Sequence, residues 1–447
     1  MTAQISFDAN PSGSAENAAG LDAAALVISS DGHASAAMRS YKDYLPAKLH
    51  EEFADFCALW DDKGGLPSET RSLVMQFDPE ELERWDQEIV EPGRIAGYGN
   101  MSARLTELDR QGIAAEVLFP DFGRPFEIKP LIARLLGYSP RQELIDAGNR
   151  AYNRWLAEFC SQAPERFAPL AAVSFSDVDE TVAEIRWAHA AGLRGIVLPC
   201  FDDAVPLFDR RFDPVWATLA ELGMPANCHI AISSVTTHAP ALPELPHPTV
   251  AARVHVPRIL FFAHQMLGHF IWGGVLERHP DLQVAFTEMG SDWVVPELRS
   301  MDYVLEGSWA RRDIREIISL RPSEYWQRQC HLGSSIFSRA EIEARGEIGL
   351  DKMMLGMDFP HHEGTWAGAP NATTLDYLQA TLGAAQVPVG EARQLLSGNA
   401  SALWKFDTDH LQHVADRIGP TMRDVLSVPD VDRFPRGDVH KPNSAAV

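Results

Sequence analysis

Four short apolar runs in this chain each end on a residue able to bind a metal ion. Leu26-Val27-Ile28-Ser29-Ser30 runs into Asp31-Gly32-His33, and Met224-Pro225-Ala226-Asn227-Cys228 runs into His229. Gln283-Val284-Ala285-Phe286-Thr287 runs into Glu288, and Lys352-Met353-Met354-Leu355-Gly356-Met357 runs into Asp358. Asp31 and His33 stand at i and i+2, which on extended backbone puts both side chains on one side. His229 adds a neutral imidazole, and Glu288 and Asp358 add carboxylates. Two histidines and three carboxylates without a thiolate suit Zn, Mn or Fe, as one or two divalent ions. Such an ion lowers the pKa of bound water and polarises a carbonyl. Glu288 and Asp358 are also the candidate acid–base groups. Alternation with Phe286 is expected to point Glu288 into the site. Taken singly, each residue has an ordinary explanation: a turn, a core histidine, an ion pair with Arg278 or Arg299, a cap. Their shared position at strand ends is what joins them.

A wider ring of candidates follows. His264 and His269 lie on an apolar stretch, Phe261 to Trp272, that reads as a helix, and either is a candidate pocket contact. Trp293 closes the segment that begins at Glu288. His331 ends a seventh strand-like run, which makes it a candidate substrate or second-metal contact. His361 and His362 follow Asp358 as candidate supports for the ligands. His238, His247 and His255 fall in a long loop and are expected to be solvated or structural.

The elements that must position these residues are strands alternating with helices. Strand-like runs occupy 25–30, 115–119, 168–174, 194–199, 224–229, 283–288, 328–332 and 352–357, with amphipathic stretches such as 141–160 and 178–191 between them. Eight such units imply an α/β fold of the (β/α)8 TIM barrel type, with its chemistry at the C-terminal ends of the strands. Residues 34–99 are too long for a barrel loop, and their aromatic residues (Tyr41, Tyr44, Phe53, Phe56, Trp60, Trp85) predict a helical lid inserted after strand one. A second long connection spans 231–258. Residues 1–20 read as a disordered tail, 21–407 as the barrel domain, and 408–447 as a C-terminal extension.

A formal charge of -23 over 447 residues argues against nucleic acid and anionic membrane as partners. No apolar run reaches the length needed to span a bilayer, and the first residues lack a secretory pattern. Five scattered cysteines without a CxxC pair read as reduced thiols in a cytoplasmic protein. Cys228 beside His229 reads as a small buried residue rather than a nucleophile. The 11 Trp and 21 Phe, many in the insertions, predict a homo-oligomer, a dimer in particular.

Several motifs in order resemble the amidohydrolase superfamily, in the branch that includes aminocarboxymuconate-semialdehyde, γ-resorcylate and 5-carboxyvanillate decarboxylases. They are Ser30-Asp31-Gly32-His33, Gly273 to Leu282, Phe286 to Trp293, Gly356-Met357-Asp358-Phe359-Pro360-His361 and Leu396-Ser397-Gly398-Asn399-Ala400. The resemblance implies that Asp31, His33, His229 and Asp358 bind a divalent metal. It also exposes a departure: the decarboxylases usually carry a histidine where this chain has Glu288. The leading expectation is therefore a metal-dependent hydrolase of an ester, lactone or amide, with Asp358 handling the proton. The alternatives are a non-oxidative decarboxylase of an aromatic or dienoic acid, and an iron-dependent, di-iron oxygenase on the same fold. A fourth, a catalytically dead barrel serving as a scaffold, is opposed by the intact ligands.

Overall fold

The computed structural model describes residues 20–62, 83, 85–121, 123–127, 138–199, 205–230, 262–307, 311–334, 336–361, 364–367 and 373–429. The expected tail, the 231–258 connection with its three histidines, His362, Cys200 and residues 430–447 lie outside them.

Among the described residues, nine short strands form one all-parallel sheet. They are β1 (Ile28–Ser29), β2 (His33–Ala34), β3 (Ala115–Pro120), β4 (Phe167–Ala172), β5 (Gly195–Val197), β6 (Ala226–His229), β7 (Val284–Thr287), β8 (Cys330–Ser334) and β9 (Met353–Leu355). β1 and β2 are two pieces of the first barrel strand, and both pair with β3. From β3 to β9 each strand pairs with the next. The first and last strands close the barrel through isolated backbone bonds: Ser30 N to the Leu355 carbonyl, Asp358 N to the Asp31 carbonyl, and His33 N to the Phe359 carbonyl. The eight expected strands are all present. The short, polar seventh is displaced and starts at Cys330.

Period-2 alternation sorts the strand residues between two cores. Val117, Phe119, Leu170, Ala285 and Met354 belong to the barrel interior. Leu118, Ala171, Cys228, Phe286 and Leu332 face the surrounding helices. Gln142–Cys160 forms a helix because Leu144, Ala147, Ala151, Trp155 and Phe159 recur on one buried face. The helix Met101–Gln111 starts on Asn100, whose side chain accepts the Ala103 N–H, and ends at Gly112 in the left-handed region that glycine tolerates.

Within the expected lid, the described segments are short helices: Met38–Tyr44, Ala47–Leu49, His50–Asp62, Asp86–Val90 and Arg94–Tyr98. Past the barrel, Trp404, Leu411, Val414 and Ala415 join the interior core. The ends of the described chain are clasped together. Ala25 N donates to the Pro420 carbonyl, Met422 N donates to the Ala23 carbonyl, and Arg423 pairs with Asp22. Among the described residues, no helix is long and apolar enough to cross a membrane.

Candidate metal centre

The first barrel strand is interrupted between Ser29 and His33, and Gly32 lies in that stretch. A Cβ there would lie 2.0 Å from Glu116 Oε1, so this position has room for hydrogen alone. The break sets Asp31 and His33 at the mouth of the barrel, opposite His229 at the end of β6. All three are essentially buried. His33 Nδ1 lies 3.2 Å from the Pro120 carbonyl, and His229 Nδ1 lies 2.9 Å from the Ile230 carbonyl. A carbonyl only accepts, so Nδ1 carries a hydrogen in both rings, and in the neutral form of each ring Nε2 presents a lone pair.

Those lone pairs converge on carboxylates. His33 Nε2 is 3.6 Å from Asp31 Oδ1 and 3.4 Å from Asp358 Oδ1. His229 Nε2 is 3.4 Å from Asp31 Oδ1 and 3.5 Å from Glu288 Oε2. Metal bonds near 2.1 Å place neighbouring donors roughly 3.0–3.4 Å apart. Lone pairs facing carboxylates at these separations repel unless a cation lies between them. Asp358 reinforces the point. It is fully buried, and its nearest cationic partner is the His361 ring, with Nδ1 3.0 Å from Oδ1. Asp31, Glu288 and Asp358 crowd carboxylates into one largely buried space, which is costly, and a divalent cation fits a donor set this rich in negative charge. Asp31, His33, His229 and Glu288 place ligand atoms within 4.8 Å of one another.

Glu288 reaches this cluster by a route that alternation does not predict. Phe286 faces the helix layer, against Trp293 and Trp326. Regular strand geometry would therefore send Glu288 outward as well. Instead its backbone turns into the left-handed region at φ 58°, and Asp358 does the same at φ 53°. Non-glycine residues rarely adopt this conformation, and strain of this kind gathers at functional sites.

Two further groups overlap the first: His33, Asp121 and His361, and Glu288, Asp358 and His361. His361 stacks on His33 with ring centroids 4.1 Å apart. Its Nδ1 is 3.0 Å from Asp358 Oδ1 and its Nε2 is 3.6 Å from Asp121 Oδ2. Burial disfavours a charged ring, yet Asp358 and Asp121 outweigh it and hold the imidazolium well above the ordinary histidine range. Tyr98 donates its hydroxyl to Asp121 Oδ2 at 2.9 Å. Asp121 is a site residue that sequence reasoning missed. It directly follows β3, so the strand-end rule would have found it had the strand been extended through Pro120.

Other candidates sit elsewhere. His331 is corrected: it is the second residue of β8, not its end, and its Nε2 bonds Gln283 Oε1 at 2.9 Å, ahead of β7. That places it at the base of the barrel, and burial pushes its pKa down to about 3. His264 bonds Glu297 at 2.7 Å and lies beside Trp293. Trp293 in turn packs on Trp326 in the helix layer. His269 rests against Phe208. Burial raises the Cys228 thiol well above its usual range, which disfavours the nucleophilic thiolate.

A model of the amidohydrolase family matches residues 137–406. The chain belongs to this family. Among curated amidohydrolase relatives, a γ-resorcylate decarboxylase from Rhizobium sp. (strain MTP-10005) is 25% identical over 286 residues, covering 60% of this chain and 78% of the relative. A second, from Rhizobium radiobacter, is 26% identical over 254 residues, covering 53% and 72%. Solved structures share the fold. A 5-carboxyvanillate decarboxylase from Novosphingobium aromaticivorans, determined with bound manganese, superposes with a TM-score of 0.57 at 19% identity, covering 85% of this chain and 96% of that one. An amidohydrolase from Mycobacterium avium subsp. paratuberculosis gives 0.58 at 20%, covering 85% and 99%.

Proposed function

We propose that this amidohydrolase is a divalent-metal-dependent, non-oxidative decarboxylase of a hydroxylated aromatic acid. The similarity to γ-resorcylate decarboxylases over 286 residues carries the reading. It moves decarboxylation ahead of the ester, lactone or amide hydrolysis expected from Glu288 in place of the usual histidine. Asp31, His33, His229 and Asp358 hold the metal. The bound ion supplies positive charge that orients the substrate's carboxylate and adjacent hydroxyl. Beside these four ligands, Glu288 is more exposed than any of them, with 10% of its side chain open, so it is the carboxyl a substrate meets. In its acid form it donates a proton to the ring carbon. The bond to the carboxyl carbon breaks, its electron pair stays on the ring, and CO2 leaves. Glu288 then regains a proton from solvent. The described segments 34–62 and 85–99 act as pocket wall over the barrel, a role supported by the bond from Tyr98 to Asp121.

A second reading has its own observation. Asp121 and His361 extend the ligand set to four carboxylates and three imidazoles. With His361 an imidazolium, one divalent ion leaves one of the four carboxylate charges over; a second ion would need His361 neutral and able to bind it. A two-ion centre loaded with iron is the arrangement an oxygenase on this fold would need. The test is metal analysis of the purified chain, followed by incubation of the Mn2+-loaded protein with γ-resorcylate, 5-carboxyvanillate and a panel of esters and lactones. CO2 release is the expected result. Hydrolysis without CO2 restores the hydrolase, and two iron ions per chain with O2 uptake favours the oxygenase.

A further inference from the structure

Behind the metal centre, between the barrel wall and the helix Met101–Gln111, lies a charged pair that no ligand role explains. Arg104 and Glu116 are both fully buried. Arg104 donates from Nε at 2.9 Å and from Nη2 at 2.7 Å to Glu116 Oε2. Burying two charges generally gains little stability over an apolar pair of similar volume, so such a pair invites another explanation. The remaining contacts of Arg104 supply one. Its Nη1 donates to the His33 carbonyl at 2.7 Å and to the Gly97 carbonyl at 3.3 Å. Its guanidinium carbon lies 4.8 Å from the centre of the Phe359 ring. The other carboxylate oxygen of Glu116 fills the space beside Gly32.

One side chain thus touches three pieces of the site. His33 is a ligand, Phe359 follows the ligand Asp358, and Gly97 belongs to the segment whose Tyr98 holds Asp121. The fit is close, since a Cβ on Gly97 would lie 2.9 Å from Arg104 Cα and 3.0 Å from Phe359 Cζ. Guanidinium geometry suits this bridging role. Its donors are rigid and planar, so Glu116 can fix the fork while one arm reaches the carbonyls. We infer that Arg104, oriented by Glu116, is a positioning residue that sets the spacing of the metal ligands on the first and last barrel strands and ties it to residues 94–98. It touches neither metal nor substrate. The inference rests on the metal-binding reading, not on the identity of the reaction.

The test measures Mn2+ affinity by competition with a coloured chelator on the folded apoprotein. Removing Arg104 alone would strand a buried carboxylate, so the informative variant is the paired Arg104→Met/Glu116→Leu, which keeps volume and removes both charges. It is expected to unfold near the wild-type temperature yet bind Mn2+ at least tenfold more weakly. Arg104→Lys keeps the charge beside Glu116 but loses the fork, and should weaken binding in the same direction; it decides the matter if the paired variant does not fold. Asn399→Ala serves as control. Asn399 ties the Leu350 and Met353 carbonyls near the start of β9, and its loss should destabilise the fold without changing Mn2+ affinity. Wild-type affinity in folded paired or lysine variants overturns the inference. So does equal weakening in the control, which would make the effect one of general stability. A wild-type chain that binds neither Mn2+ nor Zn2+ overturns it too. Failure of the decarboxylase reading alone leaves these affinities untouched.

Discussion

At the scale of single residues, Glu288 carries the sharpest expectation. Glu288→Gln keeps size and polarity but removes charge and acidity, and should lower turnover by about 100-fold or more, the usual scale for losing an acid–base group. Metal content measured on the same preparation separates its roles. Unchanged metal supports proton donation, and loss of one of two ions supports a bridging ligand. Full turnover with full metal would make the residue structural. His331 offers a pH test at the other end of the barrel. Its folded pKa, about 3, lies below the unfolded value near 6.5. Its contribution to stability is therefore present above pH 6.5 and drains away as pH falls toward 3. Denaturant titrations at pH 7 and pH 5 should show the wild type losing more stability than His331→Asn. Equal losses would place the shift elsewhere. The buried thiols of Cys57, Cys160, Cys228 and Cys330 should react slowly with a disulfide reagent until the chain unfolds.

At the scale of elements, the strand ends are readable in the sequence and the turns beyond them are not. Asp31, His33, His229 and Asp358 follow from one rule, that apolar runs in a parallel barrel deliver their last residues to a common mouth. The same rule misplaces His331 because a polar strand gives a weak hydrophobic signal, and a shift of two residues moves it from mouth to base. Glu288 reaches the expected place for a different reason, since its left-handed backbone, not alternation, brings it in. Local φ of this sort leaves no mark in hydrophobic pattern. The Arg104–Glu116 pair is equally silent, because buried charges look like surface charges in a sequence. Gly32 joins the two levels. Gly32→Ala drives a Cβ into a carboxylate that is itself pinned by Arg104. We expect a destabilisation of about 1–3 kcal/mol, the range for overpacking, together with weaker metal binding. Denaturant midpoints with and without Mn2+ check both, and an unchanged midpoint would show that Glu116 can move aside.

For the whole molecule, the ligands should couple metal binding to stability. An ion that binds the folded state alone stabilises by about 2.7 kcal/mol at a hundredfold excess over its dissociation constant. Chelation should therefore lower the unfolding temperature, and Mn2+ should restore it. No shift in either direction would argue that the cluster is not a metal site. Association remains a proposal at this scale. Tyr303 and Ile317 are exposed by 76% and 51%, and we propose that the chain forms a dimer. Light scattering showing monomer alone at micromolar concentration would refute it.

The clasp between residues 22–25 and 420–423 bears on when the centre comes into being. Asp31 and His33 are made early in synthesis. Their partner Asp358 and the clasp emerge more than 300 residues later, and at roughly 5–20 residues per second that is a delay of tens of seconds. Through that interval the growing polypeptide holds half a chelating set beside an unsealed barrel seam. The full ligand set therefore exists only once Asp358 has been made, and the clasp can close only after Pro420 follows it, about sixty residues later.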